Sequence, residues 1–526
     1  DVYKRQMQET PTGPISFSFT IRNQFVSSFA TIKAAVDNKD LLYKYQNKFF
    51  NESMKKAGAS DLKGYVFGTP YDKNRNKAFL DMLLKHQIKV YPLKEDLNVE
   101  GKSFSAGSSY VVPTRQKQYY MVQSFFETYD KYRDSVFYDT SAWSLVNFYN
   151  MKYSGLKKLP ALDEKLVAGN NKISLAALPR SDYAYIIPYD DYYAPAFLYY
   201  LQDHGALVKT SVKEFSAMTA NDTREFNRGA LLVALGDQTE LSKEALHDLM
   251  QKGQEKYKVQ AYSVPSGATV KGNGLGSGSF LTLEKPKVMM VVEGNVSSYE
   301  AGEVWHLFEE RMNMPLTKVP ERLFYRTDLD RYNVIIMVSG TYRLLNKKEK
   351  TRLSSWISKG NTLITTARGS DWAVKQKIVD EALVSSGIDS TSTDERMNYD
   401  EARGSIGKQN LGGAIFGVDL DITHPIGFGY SSRDLPVYKN NRVWLTPSRN
   451  RFSTVARYRS SPHIDGYITR ENLEIMKQSA SVIVSKKGSG RVVLFADNPN
   501  FRGAWYGTNK LFLNAVFFGS LIKVPQ

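Results

Sequence analysis

Residues 65–89 read YVFGTPYDKNRNKAFLDMLLKHQIK, and residues 183–207 read YAYIIPYDDYYAPAFLYYLQDHGAL. At a constant offset nine positions agree, among them Tyr65/Tyr183, Pro70/Pro188, Tyr71/Tyr189, Asp72/Asp190, Phe79/Phe197 and His86/His204. Each copy is a β-prone run, a Pro/Asp turn, an amphipathic helix and a second β-prone run, so the chain carries an internal repeat of one supersecondary unit. A further apolar strand follows each copy, SYVVP at 109–113 and ALLVA at 230–234. A third, divergent unit follows the same plan, with strands at 287–292 (KVMMVV), 316–319 and 333–338 and a helix at 299–312. Continuous Val/Ile/Leu strands alternating with helices predict parallel sheet covered on both faces. The expected class is therefore α/β, as tandem doubly wound three-layer units with a β-rich insertion near the C-terminus.

Working outward, residues 1–6 (DVYKRQ) read as a non-native leader, and no apolar signal-peptide core follows them. Residues 15–21 (ISFSFTI) alternate and predict a strand, and helical spacing of Phe25, Phe29, Ile32, Val36 and Leu41 predicts a long helix over 24–56. This pair, 7–57, reads as the last strand and helix of a domain whose body lies upstream. The first repeat unit then spans 58–180, the second 181–285 and the third domain 286–526. Within the third domain, 371–480 reads as a β-rich insertion. Glycines at 272, 274, 276 and 278 mark a flexible linker rather than a phosphate loop, because a β-prone run follows instead of a helix.

Bulk composition sets limits on function. The 526 residues are 42% hydrophobic and 24% charged, as in an ordinary globular protein. No apolar run has the length of a membrane span, and 511–522 reads as a core helix. There is no cysteine, which excludes disulfides, thiolate metal sites and a cysteine nucleophile. The net charge of +16 is interleaved with acidic residues along the chain, so nucleic acid is not the expected partner.

Candidate chemistry is sparse. Asp190, Asp191 and Glu293 follow predicted parallel strands, at the edge where doubly wound sheets bind ligands; the competing role is capping of the next helix. Arg502, between a strand and the last helix, is placed either to clamp a carboxylate or to pin the C-terminus. His306 and Glu309 form a His-x-x-Glu pair, and His424 completes a possible zinc triad, although 306–309 lies mid-helix. His86 and His204 sit at helix ends, where a partly cationic ring is favoured.

Five stretches carry a resemblance: FTIRNQ (19–24), FYDTSAW (137–143), SYEAGEVWH (298–306), DITHP (421–425) and NFRGAWYGT (500–508). Through them residues 7–522 resemble the C-terminal region of large bacterial zinc carboxypeptidase-like proteins, of the carboxypeptidase A type. The resemblance implies that the zinc, its His-x-x-Glu and His ligands and the glutamate base all belong to a domain before residue 7. It implies no cofactor in this chain, a peptide or protein substrate bound through that upstream domain, and an extracytoplasmic parent. It also implies a class I glutamine amidotransferase-like fold at the C-terminus, whose chemistry needs the cysteine this chain lacks. The leading expectation is a non-catalytic accessory region. The alternatives are an independent hydrolase built on Asp190, Glu293 and His306, and a basic protein for nucleic acid or membrane surfaces.

Overall fold

A computed structural model describes residues 7–11, 13–130, 142–162, 166–167, 172–384 and 398–523. The leader 1–6 and most of the 137–143 stretch lie outside the described residues. The class is α/β, as the strand pattern predicts. Three principal sheets correspond to the three units.

The third domain holds a nine-stranded mixed sheet. Five strands are parallel, in the spatial order Thr317–Pro320, Val288–Val292, Val334–Met337, Thr362–Thr366, Gly490–Phe495. Counted along the chain this is 2-1-3-4-5, the order of a flavodoxin-like doubly wound sheet. The β-rich segment forms no separate body. Its strands Ala414–Leu420, Asp434–Lys439 and Thr454–Asp465, with Ala480–Lys487, continue the same sheet in antiparallel pairing. The closing helix Tyr506–Phe517 is buried on every side, so its apolar residues face core all round.

The repeat units depart from expectation in strand direction. Gly64–Gly68 pairs antiparallel with both Ser109–Pro113 and Tyr153–Leu156. Ala184–Ile187 likewise pairs antiparallel with Leu231–Ala234 and Tyr262–Val264. Their apolar runs reflect burial on both faces, but helices cover only one. The opposite face of the first sheet is lidded by a hairpin, Leu97–Val99 with Lys102–Phe104, which buries Phe104 against Val66, Val111 and Leu156. In the second unit the hairpin Phe215–Met218 with Thr223–Phe226 does the same over Ala184, Ile186 and Leu232. In each unit the helix, Lys73–Lys85 or Ala194–Asp203, crosses over to a strand one place removed, and after the lid hairpin the chain returns into the gap antiparallel to both neighbours.

Two further expectations are corrected. Of residues 15–21 only Ile15 is in a strand: it ends the hairpin Gln8–Thr10 with Gly13–Ile15, and Ser16 then caps a helix Phe17–Asp37, its Oγ accepting from Phe19 N at 3.2 Å. A local cap outweighs a short alternation. The helix breaks at Asn38, and Lys39–Ala59 continues to the body. The glycine stretch 272–279 is a packed loop rather than a free linker. Leu275 is buried in the second unit's core, and Gly272 (φ +90°) lies so close to the Glu214 carbonyl that a Cβ would sit 2.9 Å from it. Among the described residues no helix is long and apolar enough to cross a membrane.

Candidate functional site

In a 2-1-3-4-5 sheet the ligand crevice opens where the first and third strands diverge, beyond their C-terminal ends. Here those ends are Val292 and Met337, and the chain fills the space between them. Val296 bridges Gly340, and Tyr342 folds over Gly340 with its hydroxyl donating to Val338 O at 2.5 Å. Glu300 reaches in from the first helix and accepts from Ser339 N (3.0 Å) and Thr366 Oγ1 (3.1 Å). Burial raises its carboxyl above the usual range, against those hydrogen bonds. Glu293 stays outside on the exposed rim, with Arg322 at 3.8 Å.

The next strand end carries a feature that the sequence reading passed over. Ala367, between Thr362–Thr366 and the helix Arg368–Lys375, adopts φ 45°, ψ −115°. Such a strained strand-to-helix turn is the nucleophile elbow of α/β hydrolytic sites, which presents a side chain above the sheet. Gly369, two residues on, is packed where a Cβ would meet Met337 O at 2.4 Å and Val338 O at 2.7 Å. Arg368 N donates to Ser339 Oγ at 3.2 Å. The elbow geometry is complete, and the residue at its tip is a buried methyl group. A β run ending Thr366-Ala367-Arg368-Gly369, with small residues at the tip and two beyond, was the signal available. Gly369→Ala is expected to destabilise the domain by about 1–3 kcal/mol through overpacking, measurable as a lower midpoint in chemical denaturation.

The remaining candidates at this edge make separate structural contacts. Glu303 accepts from Asn498 Nδ2 and Arg502 N, both at 2.6 Å, and burial pushes its carboxyl up to about 7. Arg502 thus holds Glu303 through its backbone, while its guanidinium lies over Trp143 (5.2 Å) and Phe501 (5.1 Å). His306 begins a π-helical turn, not a continued α-helix, and packs against Gly503; burial lowers its pKa. Glu309 pairs with Lys318 at 3.0 Å. His424 caps the turn Pro425–Gly427 by accepting from Ile426 N at 3.1 Å, and burial brings it down to about 4. The three therefore do not fit a zinc site, and among the described residues no group of three His, Cys, Asp or Glu could share a metal ion. His86 and His204 are the C-terminal caps of their helices.

Asp190 and Asp191 lie elsewhere, where both repeats meet the closing helix. Asp72 caps its own helix by accepting from Arg75 N (2.9 Å) and also accepts from Tyr192 N (3.0 Å) in the other repeat. Asp191 accepts from Tyr193 N (3.0 Å) in its own turn and from Asn74 N (3.3 Å) and Nδ2 (2.7 Å) in the first repeat. The two turns thus exchange caps. Beneath them the buried Lys510 ammonium donates to the carbonyls of Tyr189 (2.8 Å), Asp190 (2.5 Å) and Asp191 (3.0 Å). Burial, then the Asp72 charge, brings Asp191 up to about 7, and burial brings Lys510 down to about 8.

Above this knot runs a two-chambered groove. One chamber, of about 800 Å³, lies on the second repeat's side; the other, of about 660 Å³, lies between the first repeat and the C-terminal sheet. They share a waist formed by Tyr71, Asp190 and Tyr430. Asp190 accepts from Asn227 Nδ2 at 3.0 Å, and burial raises its pKa. Chambers of this size suit small organic ligands. Asp190 and Asp191 are thus at the groove, while Glu293, Arg502 and His306 belong to the sheet edge.

No family model matches the chain, and no curated protein matches it. Solved structures that match include PurLQS from Thermotoga maritima, at 12% identity, covering 44% of this chain and 96% of that one, with a TM-score of 0.30. A ThuA-like protein from Parabacteroides merdae matches at 11% identity over 46% of this chain and 92% of its own, TM-score 0.29. A glutamine amidotransferase from Thermotoga maritima matches at 10% identity over 43% and 80%, TM-score 0.26. Structures of glutamine amidotransferase type are thus among the weak matches, and these three matches lend no support to a carboxypeptidase relationship. At these scores the likeness carries no argument, and the α/β assignment rests on the sheet order itself.

Proposed function

We propose that this chain is a non-catalytic, ligand-binding α/β region, the accessory part of an extracytoplasmic zinc metallocarboxypeptidase-like protein involved in proteolysis. The observation that carries the non-catalytic reading is the elbow at Ala367. A backbone strained into the conformation that presents a nucleophile ends in a methyl group, with the adjoining crevice filled by Glu300, Tyr342 and the Val296–Gly340 bridge. The five stretches of resemblance support the parent, whose zinc and peptide substrate belong to a separate peptidase unit. The groove supports a binding role.

Elemental analysis of the purified, dialysed chain tests this reading. Zinc well below one equivalent is expected, with no release of ammonia from glutamine above background. One zinc per chain, lost in His306→Ala, would overturn the proposal and restore a metal site at His306 and Glu309.

A further inference from the structure

The chamber between the first repeat and the C-terminal sheet has an unbalanced charge. Four cations line it, Arg75, Lys102, Lys152 and Arg459, against the carboxylates of Asp190 and Asp434. Arg459 is matched by Asp434 (3.2 Å), and Arg75 by Asp72 (3.4 Å) beneath it. Asp190 is turned to Asn227. For Lys102 and Lys152 there is, among the described residues, no carboxylate at ion-pair distance.

These two lysines are nevertheless held in place. Lys102 Nζ donates to Tyr153 O at 3.0 Å and lies 5.6 Å from the centre of the Tyr153 ring. Lys152 Nζ donates to Ser103 O and lies 5.3 Å from the Phe104 ring. Each lysine is thus fastened to the residue that follows the other, one on the hairpin lid and one at the start of the strand Tyr153–Leu156. The crossed arrangement fixes two ammonium groups on one wall. Each spends one of its three N–H donors on a carbonyl and keeps two. Like charges on one wall repel, and the repulsion is relieved by a counter-charge between them. Lysine is a point charge without the planar fork of arginine, so it serves phosphate and carboxylate alike. Hydroxyls of Ser105, Ser431 and Ser432 add neutral donors on the same chamber.

The geometry points to a binding site for a small dianionic ligand, a dicarboxylate or a phosphate monoester, held between Lys102 and Lys152. The site goes beyond the accessory reading and stands whether or not the parent is a peptidase; zinc content does not bear on it.

Calorimetric titration of the whole chain at low ionic strength with succinate, with inorganic phosphate and with neutral glycerol tests the site. Saturable binding of at least one dianion is expected, and none of glycerol. The paired substitution Lys102→Gln/Lys152→Gln is expected to weaken it at least tenfold. Both side chains are exposed, so folding is preserved. The pair Lys347→Gln/Lys350→Gln, on a separate basic cleft, removes the same charge and is expected to change the affinity less than twofold. Whichever of succinate and phosphate binds more tightly names the ligand class. Binding of neither dianion overturns the proposal. So does binding unchanged in the first pair, or an equal loss in both pairs, which would trace it to the net charge of +16.

Discussion

Lys439→Ala is expected to cost about 3–5 kcal/mol of stability, the penalty for breaking a buried ion pair from one side. Lys439 ends the outermost antiparallel strand, and its side chain is fully buried. Its ammonium donates to Val443 O (2.8 Å) and Ala496 O (3.0 Å) and pairs with Asp497 Oδ1 at 3.1 Å. Asp497 also accepts from Tyr458 OH and from Ser481 Oγ (2.6 Å). The cluster therefore ties the sheet's far edge to the turn after Gly490–Phe495, a strand that is not its neighbour. Burial lowers the lysine's pKa, opposed by the Asp497 charge. Removing the cation leaves a carboxylate and two carbonyls buried without their partner, and the carboxylate is the larger cost. Adding Asp497→Asn to the lysine variant is accordingly expected to recover part of the loss, a non-additivity characteristic of contacting groups. Guanidinium unfolding of the wild type, the two single variants (Lys439→Ala and Asp497→Asn) and the double variant measures both quantities. A loss below about 1 kcal/mol, the range of a surface pair, would contradict this account.

Lys510→Met is expected to have an effect of similar size, about 3–5 kcal/mol, because it strips the cation from beneath two exchanged caps. It also has a signature in pH. Asp191, raised to about 7 by burial and by Asp72, keeps in the folded state a proton that the unfolded chain releases near 4. Its contribution is present below pH 4 and is lost as pH rises to about 7. Lys510, brought down to about 8 by burial, releases in the folded state a proton that the unfolded chain keeps to about 10.4. Its contribution is present at high pH and is lost as pH falls from about 10.4 to 8. Each group contributes a slope of at most about 1.4 kcal/mol per pH unit. The wild-type protein is expected to gain stability from pH 8 upward, and the variant is expected to lack that gain. A variant that kept the alkaline rise would place the titrating group elsewhere.

Much of the fold was legible. Apolar runs marked the strands Ser109–Pro113, Val288–Val292 and Val334–Met337 within a residue or two. The repeat placed His86 and His204 correctly as helix ends. The buried C-terminal helix followed from the apolar run 511–522, shorter than a membrane span. The departure at the N-terminus has a local cause, since the Ser16 cap starts a helix where the alternation at 15–21 predicts a strand. The elbow is not legible from residue type: the strained conformation of Ala367 marks the position, and an alanine there carries no nucleophile signature.

The residues alone determined the α/β class, the repeat and the absence of thiol chemistry, because periodicity and composition are local properties that survive any arrangement of the elements. Strand direction in the repeats, the closed crevice at Glu300 and Tyr342, the exchange of caps between Asp72 and Asp191, and the crossed lysines of the groove were decided only by tertiary structure. An apolar run records that both faces are buried, whether by helix or by hairpin. Which polar groups converge depends on contacts between segments far apart in the chain, and only packing specifies them.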